Sequence, residues 1–170
     1  MRPFNIEFIY KAFHLLAPFI GRSLLVMVLS VLFGTLFGSL LAWGRLSRSK
    51  MARGTAALYV HIMRCTPSIV LLFLVYYGLP QLVFLATKVR VGYNGKLLYV
   101  TITLSLLFAA AMCELFRSAY SAVDVGQSEA AIACGMNRFQ TAWLIVIPQA
   151  VTSALPVFCN EVIALLKQGA

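Results

Sequence analysis

Ser128-Glu-Ala-Ala-Ile-Ala-Cys-Gly-Met-Asn-Arg-Phe-Gln-Thr-Ala-Trp-Leu-Ile-Val-Ile-Pro-Gln-Ala150 is a mixed polar and apolar stretch set between long apolar runs. Asp124 offers a helix cap ahead of it, with Gln127 three residues on, the spacing of a capping box. Glu129 is expected in the first turn of that helix, where the dipole favours a negative charge. Ala130, Ala131 and Ala133 are strong helix formers with almost no bulk, so another protein surface can approach them closely. Gly135 is a natural stop, because glycine takes the left-handed conformation at no steric cost. Asn137 offers a second cap, again with a glutamine, Gln140, three residues later. Phe139, Trp143 and Ile147 recur at i, i+4 and i+8 as one apolar stripe, and Pro148 is expected to stop the second helix. The stretch therefore reads as helix, sharp turn, helix: a knob at a water face that touches something there.

Outward from the knob, the chain reads as membrane. It has 170 residues, 61% hydrophobic and 11% charged, with mean hydropathy +0.89. Soluble domains are about 45–50% apolar and about 25% charged. A globule this small has too much surface to hide the excess, and a bilayer is where it fits. The formal net charge is +9. Its basic residues sit at the ends of apolar runs, the pattern of charges that snorkel to lipid headgroups rather than of a nucleic-acid surface. Cys65, Cys113, Cys134 and Cys159 are scattered, without Cys-x-x-Cys pairing, so they read as small apolar packers and not as a zinc or disulfide framework.

In chain order, residues 1–22 are an amphipathic lead-in at the membrane surface, interrupted by Glu7, Lys11 and His14. They lack the continuous apolar core of a signal peptide. Residues 23–44 carry no ionisable group and are long enough to cross about 30 Å of hydrocarbon. Ser30, Gly34, Gly38 and Ala42 repeat every four positions there, a small-residue face for close helix packing. Arg45 to Gly54 is expected as a basic loop, and Ala56 to Arg64 as a short helical run with Tyr59 and His61 interfacial. Residues 65–87 are a second uncharged run. Thr66-Pro67 suits a helix start, and Gly78 and Pro80 mark its end or a kink. Lys88 to Lys96 is a turn-rich loop. Residues 97–117 are a third span, in which Glu114 and Arg117 stand one turn apart and can pair. Residues 148–167 are a fourth span, interrupted by Pro156, Asn160 and Glu161.

No catalytic constellation appears. There is no Gly-x-x-x-x-Gly-Lys-Ser/Thr phosphate loop and no His-Glu-x-x-His, so an enzyme is not expected. No metal site is expected either. Acidic groups within apolar segments are functional suspects. Asn160 and Glu161 are thus candidates for a solute path, and Glu114 is open to two readings, path residue or structural partner of Arg117.

Glu129-Ala130-Ala131, Gly135 and Ile147-Pro148 together resemble the EAA loop of bacterial ABC importer membrane subunits. Gly126-Gln127, Pro148-Gln149-Ala150, Ala154-Leu155-Pro156, Asn160-Glu161, Leu165-Leu166-Lys167, Arg64-Cys65-Thr66-Pro67 and Glu114-Leu115-Phe116-Arg117 narrow the likeness to the polar amino acid group of histidine, glutamine and arginine permeases. The resemblance spans roughly Leu24 to Lys167. It implies an all-α, multi-pass inner-membrane permease domain over residues 1–170, with about four membrane helices and a cytoplasmic coupling loop at residues 124–147.

The resemblance also implies the working parts. An ATPase subunit would bind ATP and magnesium and receive the knob, with Gly126, Gln127, Glu129, Ala130, Ala131, Gly135 and Pro148 forming the coupling element. A periplasmic solute-binding protein would deliver substrate. A second permease subunit, identical or different, would complete the pathway in the lipid. The knob would face the cytoplasm and the chain would start outside, which leaves Lys88, Arg90 and Lys96 outside as well. The family pattern continues with a Thr-Ser-Leu run and one more membrane helix, from which this sequence departs at Gln168. The expectations are therefore a permease for polar amino acids, a truncated transport-incompetent scaffold, or a permease for another amino-acid-like solute.

Overall fold

The computed structural model describes residues 6–88 and 95–169. Residues 89–94, which hold Arg90, Gly92 and Asn94 of the expected turn-rich loop, lie outside the described residues. Helix α1 (Ile6–Leu46) leads through a short turn to α2 (Lys50–Cys65). Then α3 (Ser68–Phe73) passes through a π-helical turn, Leu74–Gly78, into α4 (Leu79–Thr87). The long α5 (Lys96–Ala122) is followed by the short α6 (Val125–Ala133). The single turn α7 (Arg138–Gln140), a π-helical stretch Thr141–Val146 and α8 (Ile147–Gly169) then run on as one rod. Four helical stretches are long and apolar enough to cross a membrane: Phe13–Leu46, Ser68–Thr87, Lys96–Ala122 and Arg138–Gln168. This is the all-α membrane architecture expected.

Helix α5 is the axis of the bundle, and α1 makes its most extensive contact with it. The small-residue stripe is that contact face. Ser30 is fully buried and its hydroxyl donates to the Thr101 carbonyl at 3.3 Å. A Cβ on Gly34 would stand 2.9 Å from the Phe108 Cβ, and one on Gly38 would stand 2.5 Å from the Met112 Cβ. Ala42 is buried with Val60 and Cys113 where α2 joins the pair. Small side chains let two backbones meet, and dispersion between them supplies the adhesion that a hydrophobic driving force cannot supply within lipid. The opposite face of α1 carries Leu32, Leu36, Leu40 and Trp43, all exposed in the isolated chain, as a lipid-facing surface should be.

Several boundaries differ from the expectations, each for a local reason. Residues 6–22 and the first span form one continuous helix, and Pro18 lies inside it without breaking it. The basic loop shrinks to a turn, since Ser49 caps α2 and its side chain accepts from the Ala52 amide at 3.4 Å. Lys50 and Arg53 are thus helical. Pro80 does not end the second span, and Pro148 does not stop the helix after Asn137. Each proline follows a π-helical stretch that contains the carbonyl four residues before it, Tyr76 or Leu144. Widening the ladder accommodates the missing N–H and the ring, so the rod continues. Three of the four cysteines, Cys65, Cys134 and Cys159, are exposed; only Cys113 packs in the interior as expected.

Candidate functional site

Helix α6 is built by its ends. The Asp124 carboxylate accepts from the Gly126 amide at 2.7 Å and opens the helix. Gln127 does not complete the box. Its side-chain oxygen instead accepts from the Gln149 amide group of α8 at 3.4 Å, which ties the short helix to the rod that follows. At the far end Gly135 takes φ +86°. The Gly135 amide donates to the Ile132 carbonyl at 2.9 Å and the Met136 amide to the Ala131 carbonyl at 3.1 Å, the paired bonds of a Schellman motif. Two residues later Asn137 and Gln140 cap each other reciprocally at 2.8 and 2.9 Å. Every turn in the segment is closed by a specific bond, so the knob is stiff.

Its faces are distinct. Ala131 is the buried residue of α6, which packs on the π-helical stretch Thr141–Val146 of its own chain. Gly126, Gln127, Glu129, Ala130 and Gly135 are exposed, as are Ile132, Phe139 and Trp143. Glu129 is not in the first turn. With Asp124 as cap it lies in the second, beyond the reach of the helix dipole, with its carboxylate toward solvent. Pro148 is exposed just past the π-helical stretch. The Phe139 and Trp143 rings lie 6.0 Å apart and form an apolar edge beside the knob.

Two polar clusters stand on the bundle. Glu114 is a hub: it pairs with Arg117 one turn along α5 and with Arg45 of α1 at 3.4 Å. The pairing ties the end of α1 to α5 about two turns before α5 ends. The second cluster lines a cleft of about 240 Å³. Arg64, Thr66 and Ser68 come from the break between α2 and α3, where Pro67 caps α3 without a side-chain bond. Leu107, Phe108 and Ala111 form its floor on α5, and Glu161 and Gln168 come from α8. Asn160 is exposed and does not line this cleft.

The sequence profile of the binding-protein-dependent transport system inner membrane component matches residues 34–170. The chain belongs to this family. YxeN of Bacillus subtilis, described as a probable amino-acid permease protein, is 35% identical over 99% of this chain and 73% of its own length. The octopine transport system permease protein OccM of Rhizobium radiobacter is 36% identical over 97% of this chain and 68% of its own. A crystal structure of an amino acid ABC transporter with histidines superposes with a TM-score of 0.84 at 28% identity, covering 98% of this chain and 74% of that one.

For this permease subunit the residues singled out in the sequence fall into three groups. Gly126, Gln127, Glu129, Ala130, Ala131 and Gly135 form one small body, with Pro148 at its base. Glu161 faces the cleft. Glu114 sits in the ion-pair hub and does not itself line the cleft. The sequence reading missed the partnership of Arg45 with Glu114 and the convergence of Arg64 with Glu161. An arginine ending an uncharged run, facing a glutamate ending another, was the available signal for the first. Nothing local signals the second, because α2 and α8 are distant in sequence and each packs on α5.

Proposed function

We propose that this chain is the membrane subunit of an ATP-driven importer of amino acids or closely related solutes, coupled to a separate ATPase through α6. One observation carries the reading: a stiff, exposed, nine-residue helix, doubly capped and tied to the rod of the last span. Packed elements move as units instead of deforming. A push on α6 from an ATPase subunit would therefore pass through Gln127–Gln149 into α8, and through α5 into the Glu114 hub. Glu129 and Ala130 would meet the ATPase, Ala130 by close approach and Glu129 by charge. Nucleotide and magnesium would belong to that partner, and this chain would do no bond chemistry itself.

The cleft suits a zwitterion. Arg64 offers a cation, Glu161 an anion, and Thr66, Ser68 and Gln168 neutral hydrogen bonds, over an apolar floor on α5. A free amino acid presents the complementary carboxylate and ammonium. A solute-binding protein would supply it and a second permease subunit would close the pathway. The test is co-purification and uptake with the cognate ATPase and binding protein. Glu129→Lys and Gly135→Pro should both abolish ATPase retention. If either variant retains the ATPase and transports at the wild-type rate, the coupling role is wrong.

A further inference from the structure

An apolar groove of about 300 Å³ runs between the first half of α1 and the last turns of α8. Leu16, Phe19 and Ser23 form one wall, Leu165 and Leu166 the other, and Leu104 of α5 the floor. The groove lies at the end of the bundle opposite the knob. Arg22 and Arg45 are both on α1, and the helix between them is about 34 Å long at 1.5 Å per residue. That is slightly more than the hydrocarbon thickness of about 30 Å. Arg45 lies at the knob end, so Arg22 stands at the headgroup level of the other leaflet.

Arg22 is held at the groove. Its guanidinium lies 5.6 Å from the centre of the Phe19 ring, a cation–π placement on a groove-lining side chain. Lys167 follows Leu166 directly, and Lys96 starts α5 two turns before Leu104. Among the described residues none of these three cations takes part in an ion pair. A slot lined by hydrocarbon, with the Arg22 cation on its wall at headgroup depth and two lysines at the same end of the bundle, is complementary to a diacyl lipid with an anionic head. We propose that the groove is a binding site for an anionic glycerophospholipid, with one acyl chain running over Leu104 and the phosphate on Arg22. The occupant follows from charge complementarity: a zwitterionic lipid would fill the slot equally, but its own ammonium cancels its phosphate, so it brings no net negative charge to the cations.

The experiment is native mass spectrometry of the purified chain after exchange into micelles doped with phosphatidylglycerol or phosphatidylcholine in equal amounts. Phosphatidylglycerol should be retained in preference. Arg22→Gln should lower its retention about fivefold, the factor that corresponds to one basic residue at a charged lipid surface. Ser23→Trp and Leu166→Trp, which fill the slot from opposite walls at exposed positions, should each abolish retention while the helical circular dichroism is unchanged. Equal retention of both lipids would overturn the proposal, as would phosphatidylglycerol binding that survives both tryptophan variants. A groove that retains no lipid, with the tryptophan variants instead splitting a dimer, would show a second copy as the occupant and would equally overturn it.

Discussion

Gly38→Ala places a methyl group where α1 touches α5. Its Cβ would lie 2.5 Å from the Met112 Cβ, 2.8 Å from the Ala109 carbonyl oxygen and 3.2 Å from the Cys113 amide. Ordinary carbon contacts are about 3.5–4.0 Å. Two of these neighbours are backbone atoms of a buried helix and cannot rotate away, so the helices must separate. Overpacking of this kind costs about 1–3 kcal/mol. Alanine also gains about 0.5–1 kcal/mol over glycine inside a helix, which offsets part of it. Gly54→Ala isolates that gain, because a Cβ there meets nothing within 4 Å. The gap between the two variants is then the packing cost itself. The assay is the unfolding midpoint in mixed detergent and dodecyl sulfate micelles. Gly54→Ala should raise it and Gly38→Ala should lower it, with Gly34→Ala lowered as well, since its Cβ would stand 2.9 Å from Phe108. Gly38→Ala as stable as Gly54→Ala would refute the close packing of α1 on α5.

Three further outcomes follow from the same geometry. Glu114→Gln removes the shared partner of Arg45 and Arg117 and should destabilise the chain by about 1–3 kcal/mol. The Glu114→Gln, Arg45→Met double variant should recover part of that loss in the same micelle assay. Asn137→Ala removes a reciprocal cap worth about 1 kcal/mol, read as faster proteolysis between Gly135 and Gln140. Pro148→Ala restores an amide to the rod and should convert Thr141–Val146 toward α-helical bonding. The re-phased rod would swing α6, so ATPase stimulation by substrate should fall while the chain itself stays folded.

Much of the fold could be read before the structure because its determinants are local. The four-residue repeat of Ser30, Gly34, Gly38 and Ala42 lies inside one uncharged run, and a helix face made of such residues has one economical use. The caps at Asp124 and Asn137 and the stop at Gly135 depend only on residues within a turn of them. The prolines misled because their usual effect was cancelled by a change of helical register, which involves carbonyls upstream of each ring. Glu129 falls one turn later than expected although the Asp124 cap is where the sequence puts it: counted from that cap it is the fifth helical residue, past the first turn. The Arg45–Glu114 pair and the cleft joining Arg64 to Glu161 rest on tertiary contacts between distant segments, and no spacing rule reports those.

The most direct measurement is side-specific labelling of α6. Replacing exposed Cys65, Cys134 and Cys159 with serine leaves only buried Cys113, and Glu129→Cys then supplies one reactive thiol on the knob. A membrane-impermeant maleimide should label it only from the face that carries the ATPase, and a bound ATPase subunit should protect it. Labelling from the opposite face, or labelling that proceeds unchanged with the ATPase bound, would contradict the account.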